Sequence, residues 1–263
     1  MSGSREELDP TNPVALTSAT RSSGRSSGIA QRAIASRSIA KMAEPYALTR
    51  RILDDRRLIH PEQSVRARTD AFREIRTRLL ALGGDSNFIT MVAPISPCSG
   101  GSFVARNLAI AFSFDEARTA LLIDCNLRNP SQHVALGVEP GAGDLIDYLE
   151  NPDIGVEKIL RHTGIPRLRL IPNTSKREMS GEYFSSFGMR TLLDSLRDRY
   201  ADRYIFLDGP AVKGSPDARI LSELADFVVL VSGSGRDSPS AIRRHVADFD
   251  PNKLAGVVFN QLP

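Results

Sequence analysis

The chain has 263 residues, an apolar share of 41%, a formal net charge of +3 and two cysteines. That length suits one sizeable core with appended segments. Two cysteines exclude a disulfide framework and fit a reducing, cytosolic compartment, and no apolar run is long enough to cross a bilayer.

The predicted elements run as follows. Residues 1–44, rich in Ser, Arg, Gly and Thr as in "TSATRSSGRSSG", hold too few apolar side chains to fill a core and read as a disordered basic tail. The charge is uneven: residues 1–78 carry 15 Lys and Arg against 9 Asp and Glu, the remainder 19 against 22. The basic excess therefore belongs to the N-terminal arm, which suits an anionic membrane surface or an acidic protein face. Residues 45–84 form a docking segment, "PYALTRRILDDRRLIH", followed by a helix over "TDAFREIRTRLLAL" with Phe72, Ile75, Leu79 and Leu82 on one stripe and Gly83-Gly84 as its stop.

Over 85–263 short apolar runs alternate with helical patterns. Strands are expected at "FITMVA", "TALLID", "LRLIP", "YIFLD", "FVVLV" and "LAGVVFN", and helices over 102–114, 144–149, 188–200, 216–224 and 239–249. This is an α/β fold with a doubly wound, mainly parallel sheet, in which ligands bind beyond the carboxyl ends of the strands.

The residues just past those ends carry the chemistry. "APISPCSGGSF" joins the first strand to a helix in the manner of a phosphate-binding loop, where glycines admit the phosphates to backbone N–H groups at a helix start. Gly100, Gly101 and Ser102 stand where a working loop has glycine, lysine and Ser/Thr. Asp124 ends "LLIDCNLR" and Asp208 ends "YIFLDGP", both placed to hold Mg²⁺ or its waters beside such a loop.

In the order of these motifs the chain, from about Leu58 to Asn260, resembles the cytoplasmic domain of the bacterial tyrosine kinases (BY-kinases) of polysaccharide co-polymerase systems, relatives of the ParA/MinD P-loop ATPases. "PCSGGS" matches that family's P-x-E-G-K-[ST] loop at Pro97, Gly100 and Ser102, with Ser99 at the glutamate. "LLIDCNLR" matches the second Walker motif at Asp124 and Arg128, and Asp208 with Pro210 matches Walker B. The resemblance implies that Pro97, Ser99, Gly100, Gly101, Ser102, Arg128 and Asn260 border a nucleotide, that Ser102, Asp124 and Asp208 hold Mg²⁺, and that Asp70, Arg73 and Arg76 lie on an assembly helix.

Four departures bear on activity. Gly101 replaces the lysine, a loss worth on the order of 3 kcal/mol or more of transition-state stabilisation. Arg106, projecting from the helix body, and Arg128, already matching a family position, are poor substitutes for it. Asn126 replaces a carboxylate, Ala211 a proline, and the tyrosine-rich tail of the kinases has no counterpart.

The expectation is thus a noncatalytic, pseudokinase-like partner of the cytoplasmic part of a membrane polysaccharide co-polymerase in exopolysaccharide or capsule export. It would be cytoplasmic and peripheral to the inner membrane, able to self-associate, with no required cofactor, ATP or ADP with Mg as optional ligands, and no nucleic acid. The alternatives are an active autokinase or weak ATPase using Asp124 and Asp208, and a ParA/MinD-like positioning module. Four scattered histidines offer no zinc spacing. Cys98 and Cys125, both at strand ends, are more readily inert small residues than a redox pair.

Overall fold

The computed structural model describes residues 45–84, 86–200 and 202–261; the predicted tail over 1–44 lies outside them. Seven strands form one sheet: β1 (Ile89–Pro94), β2 (Thr119–Asp124), β3 (Arg161–His162), β4 (Leu168–Ile171), β5 (Arg203–Asp208), β6 (Phe227–Gly233) and β7 (Leu254–Asn260). Their order is β3-β4-β2-β5-β1-β6-β7, and all pairings are parallel except β3 with β4. Every residue of β1, β2, β4 and β5 is buried, as a parallel sheet covered on both faces requires.

The two faces pack against different helices because side chains alternate along each strand. On one face Val92, Ala120, Leu122 and Phe206 meet α2 (Arg66–Gly83) and α3 (Gly101–Ser113) through Phe72, Leu79, Val104, Leu108 and Phe112. On the other, Met91, Leu121, Ile123, Leu207 and Leu230 meet side chains of α5 (Leu145–Glu150), α6 (Ser180–Ser185), α7 (Phe187–Arg199) and α8 (Asp217–Ser222). Two further helices, α4 (Gln132–Leu136) and α9 (Pro239–Val246), follow β2 and β6. The chain leaves β1 toward β2 on one side and its neighbour β6 toward β7 on the other, so a crevice opens at their carboxyl ends.

The six expected strands are all present, with β1 beginning at Ile89 rather than Phe88 and running on to Pro94. Not foreseen were β3, α4, α6 and the short α1 (Arg50–Asp55), each too brief to build a periodic pattern. Helix α8 stops at Ser222 and α9 at Val246, short of the predicted ends. Leu82 is 56% exposed and leaves the stripe on which it was placed, because in the last turn of α2 it is Gly83 that lies against Phe88 and Phe227; the helix ends at Gly84, whose φ of 62° stops propagation.

The docking segment is anchored rather than draped. Leu58 and Ile59 are buried, and the Ile59 N–H donates to Asn107 Oδ1 at 2.8 Å. The Asn107 amide in turn donates to the carbonyls of Phe103 (3.0 Å) and Arg57 (3.4 Å), so one buried side chain on α3 ties the segment to the helix that begins the site. Asn107→Ala leaves the Ile59 N–H without a partner in the core and should lower unfolding free energy by about 1–3 kcal/mol. Urea titration would measure that loss, and trypsin should cut more readily after Arg56 or Arg57.

Candidate functional site

The crevice is a cleft of ≈870 Å³ bounded by Pro94, Pro97, Gly100, Gly101, Ser102, Arg106, Asn126 and Arg128. Its loop, between β1 and α3, is bent into shape by two positive φ angles, 60° at Cys98 and 88° at Gly100. Glycine takes the second at no cost, whereas Cys98 is held there against its own preference.

Side chains of other elements fix the bend. Asp237 accepts hydrogen bonds from Ser96, from Ser232 (3.3 Å) and from Ser99 (3.5 Å), while Asn260 donates to the Ser99 carbonyl at 3.1 Å. Asn260, at the end of β7, thus meets the loop through its backbone. Asp237 went unnoticed in the sequence, where an aspartate in "GSGRDS" looks like any turn residue.

Asp124 and Asp208 face each other across the β2–β5 pairing and are both fully buried. Asp124 accepts three backbone N–H groups, from Asn126 (3.2 Å), Ser131 (2.9 Å) and Gln132 (2.9 Å). Burial nevertheless holds its carboxyl well above the usual range, and the neighbouring Asp208 charge pushes in the same direction. Burial raises Asp208 to about 6; the Gln132 amide, the Ser102 hydroxyl and the Arg106 guanidinium pull it back only in part.

Gln132 is the site residue that sequence reasoning missed. Fully buried, it donates from Nε2 to Asp208 Oδ2 at 2.6 Å and to the Ser102 carbonyl at 3.0 Å, so it stitches the loop's helix to the acidic strand ends. Two acceptors remain with no hydrogen-bond partner among the described residues, Asp208 Oδ1 and Gln132 Oε1. Buried acceptors of this kind are costly unless a cation or its waters visit them, and together with the Ser102 hydroxyl they fit a hydrated Mg²⁺. When bound, that ion would neutralise charge on a phosphate held at the start of α3.

Position 101 is closed to side chains. A Cβ there would lie 2.4 Å from Pro94 Cδ and 2.9 Å from Cγ, inside the ring that ends β1. The missing lysine is therefore matched by a filled space and not by a vacant channel.

Arg106 stands on the helix body and lines the cleft. Helical side chains lean toward the N-terminus, so from one turn past Ser102 it reaches back to the cleft and donates to the Ser102 carbonyl at 3.1 Å. Arg128 is tied to Asp217 at 3.1 Å and Ser215 at 3.2 Å.

The three residues of the expected assembly helix are not equivalent. Asp70 and Arg73 are exposed and 3.6 Å apart, while Arg76 turns inward to the Ala111 carbonyl at 2.8 Å near the end of α3, where a cation is favourable. Cys98 is exposed on the loop and Cys125 is buried; both are free thiols. Among the described residues no helix is long and apolar enough to cross a membrane.

No protein-family model matches the chain. In sequence it is similar to bacterial tyrosine-protein kinases: Wzc of Salmonella typhimurium, 28% identical over 196 residues, covering 73% of this chain and 27% of that one, and YwqD of Bacillus subtilis, 28% identical over 195 residues, covering 73% and 80%. The succinoglycan biosynthesis transport protein ExoP of Rhizobium meliloti is 28% identical over 186 residues, covering 68% and 23%. The chain spans about a quarter of the length of Wzc and ExoP.

Among solved structures, the kinase domain of the Escherichia coli tyrosine kinase ETK superposes with a TM-score of 0.63 at 24% identity, covering 74% of this chain and 75% of that one. The Mg-ADP complex of MinD from Pyrococcus horikoshii gives 0.52 at 20%, covering 66% and 68%. The fold is that of bacterial tyrosine kinase domains and of the MinD and ParA P-loop ATPases, and the relatives in sequence are bacterial tyrosine kinases.

Because burial raises Asp208, its neutral form is favoured in the folded chain. The stability this contributes is complete below the unfolded carboxyl value, near pH 4, and is lost as pH rises through about 6. In EDTA, Asp208→Asn should be more stable than the parent at pH 7.5 by about 3 kcal/mol, the equivalent of two pH units, with the advantage vanishing near pH 4. Urea midpoints measured across that range check the sign.

Proposed function

We propose that this relative of the bacterial tyrosine kinases is a noncatalytic component of exopolysaccharide or capsule export, working beside the cytoplasmic part of a membrane polysaccharide co-polymerase. The pathway rests on its relatives, which include tyrosine kinases and a succinoglycan transport protein. The loss of catalysis rests chiefly on one observation: the Pro94 ring occupies the space that any side chain at position 101 needs.

Phosphoryl transfer is promoted almost wholly by positioning and by charge placed against the moving phosphoryl group. A lysine at the start of α3 would supply that charge at the terminal phosphates, and here neither the residue nor the room for it exists. Asn126 adds to the deficit, because an amide cannot take a proton from an attacking hydroxyl at neutral pH. What remains is suited to holding a ligand: a preformed loop, a Ser102 hydroxyl and two strand-end carboxylates. Asp70 and Arg73, exposed on α2, offer a polar face for a partner or a second copy, and the basic excess over residues 1–78 suits contact with an anionic membrane surface.

Purified protein incubated with Mg and γ-labelled ATP should release no phosphate above the buffer control and acquire no phosphotyrosine. Turnover that disappears in Asp124→Asn would establish an active kinase or ATPase instead. A companion series addresses the filled space: Gly101→Lys alone should cost about 1–3 kcal/mol through overpacking. Adding Pro94→Ser should return most of it, as read by thermal unfolding.

A further inference from the structure

The cleft wall carries three cations, Arg106, Arg128 and Lys213. Arg128 is neutralised by Asp217, and Lys213 is exposed at the rim on the loop after β5. Arg106 is different. Burial lowers the pKa of its guanidinium, and the charges of Asp208 and Asp124 only partly restore it. Its one hydrogen bond to protein runs to the Ser102 carbonyl, its flank rests on the Phe103 ring at 5.6 Å, and Nε is buried without a partner. Among the described residues no carboxylate lies within 4.0 Å of it.

A half-buried cation whose Nε is sealed from solvent and which has no ion pair is unfavourable unless an anion completes it. Close by, Asp208 Oδ1 and Gln132 Oε1 are buried acceptors without donors, which calls for a cation. A ligand that satisfies both needs together carries phosphate oxygens and a bound divalent metal. The backbone N–H groups at the start of α3, a 13-residue helix, face the same cleft and favour anions.

We propose that Arg106 takes over the anion grip that position 101 cannot provide, so that the cleft binds the polyphosphate of a nucleoside di- or triphosphate from the second turn of α3 instead of from the loop. This rests on the reading of the cleft as a retained but noncatalytic nucleotide site. The guanidinium meets the phosphates from the side of the helix, and it exchanges its costly isolation for a charge-assisted contact. Asp208 Oδ1 would help to hold the metal, which would meet the other unmet need.

Calorimetric titration of the full chain with ADP, ATP, pyrophosphate and adenosine, each with Mg, tests this. Arg106→Gln should weaken ADP, ATP and pyrophosphate by roughly tenfold or more, Arg106→Lys should keep most of the affinity, and adenosine should show no dependence on the residue. Lys213→Gln should stay within about twofold.

Ligand-free thermal unfolding separates binding from structure. Arg106→Gln should melt at or above the parent temperature, since a half-buried unpaired charge is removed, and should lose the upward shift that ADP gives the parent. A large ligand-free destabilisation, or ADP affinity equal to the parent's, would overturn the assignment. So would a parent chain that binds none of the phosphates at millimolar concentration, and that outcome leaves the noncatalytic reading intact. ATP turnover by the parent, abolished in Arg106→Gln, would sink the noncatalytic reading and keep Arg106 in place.

Discussion

Two carboxylates buried side by side, Asp124 and Asp208 at the paired ends of β2 and β5, set the terms for everything near the cleft. The parallel register puts them in contact whatever the loops do, and like charges in a low-dielectric setting repel strongly. The chain tolerates the pair by surrounding it with donors. Three backbone N–H groups turn onto Asp124, the Gln132 amide caps Asp208, and Arg106 leans its charge toward both. Helix α4 exists largely to deliver Gln132 and the amides that precede it.

The same constraint explains why the site looks half dismantled without being collapsed. A P-loop ATPase balances strand-end acids with a loop lysine and a metal. Here Pro94 lies against position 101, and Arg106 stands further along α3 at the cleft wall, while the acids stay where the sheet puts them. Each part has its own support, Asp237 for the loop, strand pairing for the acids and the Phe103 ring for Arg106, and Gln132 and the Ser102 carbonyl join them.

Most of this architecture is written openly in the chain. The six long strands announce themselves as apolar runs; Asp124 and Asp208 are visible because each ends such a run, and the Gly100-Gly101-Ser102 turn because it lies between a run and a helical pattern. What stayed hidden needed three dimensions. Gln132 is an ordinary polar residue until α4 turns it inward. Pro94 meets Gly101 only because the strand end and the helix start approach within contact distance. Arg106 is legible as a residue of the helix body, but its approach to the cleft depends on the backward tilt of helical side chains. Leu82 was misplaced because three- and four-residue steps drift around the helix, so that by the last turn Gly83, not Leu82, faces the sheet.

The clasp at Asp237 has a wider consequence. Hydroxyls from Ser96 and Ser99 on the loop and from Ser232 on β6 converge on one carboxylate, and Asn260 on the edge strand takes the Ser99 carbonyl. The cradle is thereby coupled mechanically to the two strands nearest the sheet's open edge. Whatever leans on that edge, a neighbouring molecule along β7 above all, pulls on the same four contacts that shape the cradle. An event at the rim of the sheet can thus be felt at the cleft without any rearrangement of the core between them.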